Sequence, residues 1–173
     1  GNDLDYFGYS VAVEGDTAVI GAYQADPGTL LDAGAAYVFV RSGGVWTQQG
    51  RLVASDAADD DWFGYSVAVA GDTAVIGAHQ GDLPGKTDAG AAYVFLRSGS
   101  VWTQQTKLTA LDGSASDYFG RSVALSGETA VIGANGVDLA TTGSAGAAYV
   151  FVRSGGSWSQ QAKLTAADAV AFD

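Results

Sequence analysis

The sequence returns to nearly the same residues every 56 positions, and this internal repeat is the strongest constraint on the fold. The pair Phe-Gly begins at Phe7, Phe63 and Phe119, and the residues after each pair recur in step without insertion or deletion. A period of this length is typical of chains that repeat one supersecondary unit. We predict one repeat domain over 1–173, with three units of the same structure at about 6–61, 62–117 and 118–173.

Each unit contains four short segments rich in β-branched and aromatic residues, which are separated by turn signals. In the first unit these segments are 9–13, 17–22, 35–41 and 45–52. The first and last pairs are joined by short glycine-containing turns that can close hairpins. No segment shows a convincing helical period, so each unit is predicted to be a four-stranded antiparallel meander.

The third segment of each unit is apolar on both of its alternating faces, as the residues Ala-Ala-Tyr-Val-Phe-Val at 35–40 show. Both sides of such a sheet must be covered, and stacked copies can cover one another as propeller blades do. Small residues in the first two strands and large ones in the outer two make each unit a wedge. We predict an all-β, propeller-type fold with three four-stranded blades that remains open on its own.

Composition excludes several functions. Nineteen acidic and eight basic residues give a net charge of −11, which disfavours nucleic acid and anionic membrane surfaces as partners. No apolar run is long enough for a membrane-spanning helix, so membrane insertion is not expected. Cysteine is absent, which excludes disulfides and thiolate chemistry. Methionine is also absent, so we expect a longer parent protein.

The repeated motif resembles a known family. Phe7-Gly8, followed by Gly21-Ala22 and by Ala-Ala-Tyr-Val-Phe at 35–39, resembles the FG-GAP repeat, and the likeness covers essentially the whole chain. The final proline of the family name is replaced by Tyr23, His79 and Asn135. The resemblance implies blades like those of integrin α chains and of many bacterial surface or secreted proteins. It therefore implies an extracellular location.

Most of the acidic residues fall in two kinds of loop that should share one rim, namely the connection from strand two to strand three and the crossover to the next unit. Clustered carboxylates on such loops suit Ca²⁺, which takes six to eight oxygen ligands. The candidate calcium ligands are Asp26, Asp32, Asp56, Asp61, Asp82, Asp88, Asp112, Asp117 and Asp138. The alternative, which we favour, is that these residues cap turns and keep the surface soluble.

The resemblance does not supply a cation site. Integrin repeats carry a loop of the D-x-D-x-D-G type between the first two strands. Here the corresponding turn, 14–17, is too short to wrap an ion.

Two further sets of residues recur with the period. A tryptophan on the outer strand begins each W-[TS]-Q-Q motif, and an arginine ends the third segment of each unit near the opposite rim from the acids. The tryptophans either present a surface for sugars or proteins or, as we favour, fill the gap between blades. The arginines either favour stacking between molecules or are solvated strand ends. These residues are Trp46, Trp102, Trp158, Arg41, Arg97 and Arg153.

We predict that the chain is not an enzyme. His79 is the only histidine, which leaves neither a conventional serine triad nor a histidine-rich zinc site. Paired carboxylates could serve glycoside hydrolysis, but the acids repeat three times, whereas an active site is usually built once.

The sequence predicts a structural or adhesion module of a secreted or cell-surface protein, of bacterial type, that contacts proteins or glycans and itself. Three blades are too few for a ring. Asp173 lies at the repeat phase of Asp5, so one copy could continue into another. Further blades in the parent chain, a ring of six blades from two chains, and an open filament all remain possible. The alternatives are a self-assembling ring or filament protomer and a fragment of a lectin-like or hydrolytic propeller.

Overall fold

Twelve β-strands form three separate sheets in the computed structural model, which describes residues 5–139 and 143–168. The first sheet, here called the first blade, contains β1 (Ser10–Glu14), β2 (Thr17–Ala22), β3 (Ala35–Ser42) and β4 (Val45–Leu52). The second blade contains β5 (Ser66–Ala70), β6 (Thr73–Ala78), β7 (Ala91–Ser98) and β8 (Val101–Leu108). The third contains β9 (Ser122–Ser126), β10 (Thr129–Ala134), β11 (Ala147–Ser154) and β12 (Ser157–Leu164).

The strands of each blade are hydrogen-bonded in sequence order and every pair is antiparallel. Within residues 5–139 and 143–168 there is no helix, and therefore none that could span a membrane. The predicted fold, all-β with three open four-stranded blades, is confirmed. The unit boundaries stay a prediction, and Asp173 lies outside the described residues.

Tight turns fix the register of each hairpin. In the first blade, Gly43 and Gly44 connect β3 to β4 with φ angles of 56° and 82°. Two successive positive φ angles define the hairpin turn whose twist matches that of the strands, and glycine adopts them without steric cost. The same outer hairpin carries a β-bulge between Val38 and Phe39, which recurs in the other blades.

The blades stack as wedges, as the distribution of small and large residues predicts. The first strands, β1, β5 and β9, lie against one another, whereas the fourth strands approach each other much less. One apolar cluster fills the junction between the first and second blades, and another fills the junction between the second and third. Strand β6 in the middle blade is buried along its whole length, but β2 and β10 are only partly buried.

Candidate functional site

At each of the two junctions, the phenylalanine of a Phe-Gly pair is the central contact. Phe63 is fully buried between the first and second blades, with its ring centroid 5.5 Å from that of Tyr93 and 5.9 Å from that of Phe95. Its backbone N–H donates to the carbonyl of Ala33 in the preceding unit, at 2.9 Å. Phe119 repeats this arrangement at the next junction. The Phe-Gly pairs of the second and third units, here called knobs, thus insert into the preceding blade.

At the two junctions, the glycine that follows the phenylalanine brings two main chains into contact. A Cβ atom on Gly21 would lie 1.9 Å from the carbonyl oxygen of Gly64, and a Cβ on Gly77 would lie 1.9 Å from that of Gly120. The Ser10 hydroxyl donates to the same Gly64 oxygen at 2.7 Å. No side chain fits between these strands, so glycine is required there by the neighbouring blade.

The W-[TS]-Q-Q motif joins the outer strands. Trp102 Nε1 donates to Gln49 Oε1 of the preceding blade at 2.9 Å, and Trp158 Nε1 donates to Gln105 Oε1 at 3.1 Å. Both indole rings also pack against the buried clusters. We expected the tryptophans to fill the gap between blades, but the glutamine acceptors were missed, although they recur beside the tryptophan in each copy.

A salt bridge closes each junction at the acidic rim. Lys107 Nζ lies 2.8 Å from Asp56 Oδ2, and Lys163 Nζ lies 2.6 Å from Asp112 Oδ2. The hydrogen bond from Lys163 outweighs partial burial and lowers the pKa of Asp112. Two of the candidate calcium ligands, Asp56 and Asp112, are therefore already paired with a lysine.

Other candidate ligands act as turn caps. Asp26, Asp82 and Asp138 each accept a hydrogen bond through Oδ1 from the backbone N–H six residues later, at 2.9, 2.8 and 2.6 Å. This is the local side-chain-to-backbone bonding expected of aspartate in turns. The donors in the first two cases are Asp32 and Asp88, both of which have positive φ.

Asp61 and Asp117 cap the crossovers between blades. Asp61 Oδ2 accepts from the N–H of Ala58, and Asp117 Oδ2 accepts from that of Ser114, both at 2.7 Å. Burial raises the pKa of both carboxyl groups, against the effect of these hydrogen bonds. Desolvation therefore outweighs the capping interaction at both positions.

The structure brings several of these acids together without forming a recognisable cation cage. Asp59, Asp60, Asp61, Asp82 and Asp88 contribute to a hollow of about 230 Å³. Among the side chains that the structure describes, no group of three or more acids, histidines or cysteines is arranged to hold a metal ion. The calcium site stays a prediction, which melting temperatures measured with Ca²⁺ and with excess chelator would test.

The arginines at the opposite rim each form a salt bridge within their own blade, and Arg97 Nη1 also donates to Thr17 Oγ1 of the first blade at 2.9 Å. Arg41 and Arg97 each form a salt bridge of 2.7 Å with the turn between the first two strands, to Asp16 and Asp72. Arg153 pairs with Glu128 in the same way. Each guanidinium also lies over the tryptophan ring of its blade, at 5.4 Å for Trp46.

His79 is at the centre of an aromatic cluster near the inner strands. It is only 1 % exposed, and its ring centroid lies 4.1 Å from that of Tyr65 and 5.5 Å from that of Trp62. Arg121 Nη1 approaches its Nε2 at 3.3 Å. Burial, together with the charge of Arg121, lowers the pKa of His79 to about 4, so the ring is neutral at pH 7.

The face of the first blade that points away from the other two is apolar and exposed. Val11 and Val13 on β1 are 70 % and 67 % exposed, and Phe7 is 55 % exposed. In the second blade, the corresponding valines, Val67 and Val69, are each 9 % exposed because the first blade covers them. The exposed face is therefore a junction surface that has no neighbouring blade in the described structure.

Comparison with known proteins agrees with this architecture. The profile of the FG-GAP repeat family matches residues 1–39, 46–95 and 102–151, which is well over half of the chain. The second match begins in the outer strand of the first blade and ends in the third strand of the second, so that it includes a complete junction. No curated protein matches the chain. The chain belongs to the FG-GAP repeat family.

Proposed function

We propose that the chain is a non-enzymatic structural or adhesion module of a secreted or cell-surface protein, which works through contacts made by its blade faces. The observation that carries the proposal is the exposed apolar face formed by Phe7, Val11 and Val13. Contiguous apolar surface with a polar surround marks interaction sites on soluble domains. The same residue types in the second blade already form such a contact within the chain.

Repetition supports a non-catalytic role. The polar contacts described above recur at both junctions with nearly the same geometry, including the aspartate–lysine salt bridges and the tryptophan–glutamine hydrogen bonds. A catalytic centre requires one constellation of groups aimed at one reacting atom. The family is typically non-catalytic, and its members usually occur in extracellular or surface proteins.

The chemistry of the open face favours protein over glycan as the partner. Sugar binding by stacking needs a free aromatic plane with hydrogen-bonding groups around it. Val11 and Val13 offer only aliphatic surface, and the exposed Phe7 ring carries no hydrogen-bonding group of its own. Arg41 lies over the ring of Trp46. Aliphatic and phenylalanine side chains instead suit the interior of a protein interface.

The experiment presents the chain on beads and measures adhesion to a second set of beads carrying the same chain and to a glycan array. We expect adhesion between beads that is lost in the double variant Val11→Glu/Val13→Glu. Leu111→Glu is the matched control, because Leu111 is an exposed apolar residue on a crossover, away from both blade faces. Beads that bind neither surface, or adhesion that is insensitive to the double variant, would contradict the proposal.

A further inference from the structure

The third blade carries a copy of the pocket that receives the Phe-Gly knob, and no residue among those that the structure describes fills it. A hollow of about 750 Å³ on its open side includes Gly133, Ala134, Gly146, Ala148, Leu164 and Ala166 in its lining. The positions 56 residues earlier hold the same six residue types, in the same order. In the second blade, those residues lie around Phe119 at the junction with the third. The hollow therefore shares these six lining residues with an occupied Phe-Gly socket.

The first blade carries a knob that is already in the docked conformation. The Phe7 ring centroid lies 5.4 Å from that of Tyr37 and 6.1 Å from that of Phe39. These distances differ by at most 0.2 Å from the corresponding ones around Phe63. The N–H of Gly8 donates to the carbonyl of Gly21 at 3.0 Å, as Gly64 donates to Gly77. Because the knob already has its docked conformation, little conformational entropy would be lost on binding, which favours affinity.

The outer face of the third blade and the outer face of the first blade also carry polar groups that match in position and chemistry. Ser122 corresponds to Ser10, whose hydroxyl binds a knob glycine, and Gln161 corresponds to Gln49, which accepts from a tryptophan of the next blade. Asp168 corresponds to Asp56, which pairs with a lysine.

The first blade supplies the opposite half of each pair. Gly8 offers the carbonyl, Trp46 offers the indole N–H, and Arg51 offers the positive charge at the position of Lys107. Arg51 lies over the ring of Tyr37, just as Lys107 lies over that of Tyr93.

We propose that a second copy of this chain docks its first blade onto the open face of the third blade, with Phe7 in the hollow beside Leu164. The inference rests on the proposed function and names its partner. The proposed interface repeats the two junctions within each chain. The first blade of a second copy therefore carries the same groups that fill the equivalent pocket at those junctions. Because the two surfaces differ, the contact is head-to-tail and yields either a closed ring or an open filament.

The test uses two variants that each disable one surface. Phe7→Ser removes the knob but leaves the socket. Gly133→Ala blocks the socket, since the equivalent Cβ on Gly77 would lie 1.9 Å from a knob carbonyl, but leaves the knob. Among the described residues, the Cβ added at Gly133 would meet groups of Ser122 alone, whose hydroxyl can rotate away. Gly50→Ala is the matched control, because a Cβ there has no atom within 4 Å.

Sedimentation velocity is measured for the wild type, for each variant and for an equal mixture of the two variants. We expect the wild type to associate, either variant alone to associate about a hundredfold more weakly, and the mixture to form a dimer with one junction. Gly50→Ala should associate as the wild type does. Circular dichroism of each variant confirms that the chain is folded.

Three results would overturn the docking arrangement. These are a wild type that stays monomeric at high micromolar concentration, variants that associate as well as the wild type, and a mixture no heavier than its components. Adhesion of beads to glycans by a monomeric wild type would leave the proposed function intact and remove only this inference. A chain that neither associates nor adheres would remove both.

Discussion

The first and second blades have nearly the same sequence and the same strand register, yet equivalent residues differ greatly in their exposure to solvent. Ser10 pairs with Gly21 in the first blade, and Ser66 pairs with Gly77 in the second. The valines on these inner strands are nevertheless exposed in one blade and buried in the other. Local structure is therefore encoded within each repeat, whereas burial is decided by the neighbour.

The Phe-Gly knob sharpens the comparison. Phe7 and Phe63 contact the equivalent aromatic residues of their own blades at nearly the same distances. Only Phe63 is enclosed by residues of a preceding blade, such as Leu52 and Ala54. The knob is thus preformed, and most of its contribution to stability comes from the socket that receives it.

The largest predicted effect separates these two phenylalanines. Phe63→Ala should lower the free energy of unfolding by about 3–5 kcal/mol, because it leaves a cavity at a fully buried junction. Phe7→Ala should cost less than about 1 kcal/mol in the monomer, since surface substitutions usually have small effects. Urea unfolding at a concentration where the chain is monomeric measures both. Equal losses would show that the knob stabilises its own blade rather than the junction.

A second prediction compares two equivalent glycines, Gly77 in the middle blade and Gly133 in the third blade. Gly77→Ala should destabilise the chain by about 1–3 kcal/mol, because the new methyl group would overlap the Gly120 carbonyl. Gly133→Ala should cost less, since no knob carbonyl lies opposite it within the chain. Thermal unfolding of the two variants, with Gly50→Ala as the reference, provides the measurement. A larger loss at Gly133 than at Gly77 would be inconsistent with main-chain contact as the cause.

His79 gives a pH-dependent comparison with Tyr23 and Asn135, which occupy the same position in the other units. In the unfolded chain His79 has its ordinary pKa of 6.5. In the folded state, burial and the charge of Arg121 lower the pKa of His79 to about 4. The unfolded state therefore binds more protons between these values, and stability falls as pH decreases from 6.5 towards 4.

The corresponding variant is His79→Asn, which introduces the residue of the third unit. The difference in unfolding free energy between wild type and variant should shrink as pH falls through this window and be constant above it. Unfolding curves at several pH values test this. A difference independent of pH would indicate that His79 has the same pKa in the folded and unfolded states.

The smallest effect is expected at the salt bridges of the acidic rim. Lys107→Gln should cost at most about 1 kcal/mol, because the pair with Asp56 is partly exposed to solvent. Arg51→Gln, at the same position of the first blade, should cost less in the monomer. The Lys107 effect should also decrease when salt is added. An effect that survives molar salt would point to packing of the lysine stem on Tyr93 instead.

The fold could be predicted because its determinants are local. Alternating apolar residues and glycine turns define each strand, and the period shows where the pattern starts again. The contacts at the junctions could not be predicted in the same way. Trp102 binds Gln49, 53 residues earlier, and Lys107 binds Asp56, 51 residues earlier, so each pair joins two different copies of the unit.

The loop aspartates show a different limit of prediction from sequence. A carboxylate in a loop can bind a cation or accept a backbone N–H, and both roles favour the same residue at the same place. Only the geometry reveals that Asp26 and Asp82 accept N–H groups six residues later. The exposure of Phe7 could not be predicted from the sequence either, because all three copies carry the same Phe-Gly pair.

The contact between Gly21 and Gly64 has a consequence for how such chains can change over time. Because backbone atoms meet there directly, the spacing of adjacent layers at their inner strands is set by main-chain contact and by one serine hydroxyl. Mutations can therefore alter the charge, shape or specificity of the periphery while the geometric step from one layer to the next is retained. The outer strands can thereby acquire new surface chemistry while the main-chain contact between layers is kept.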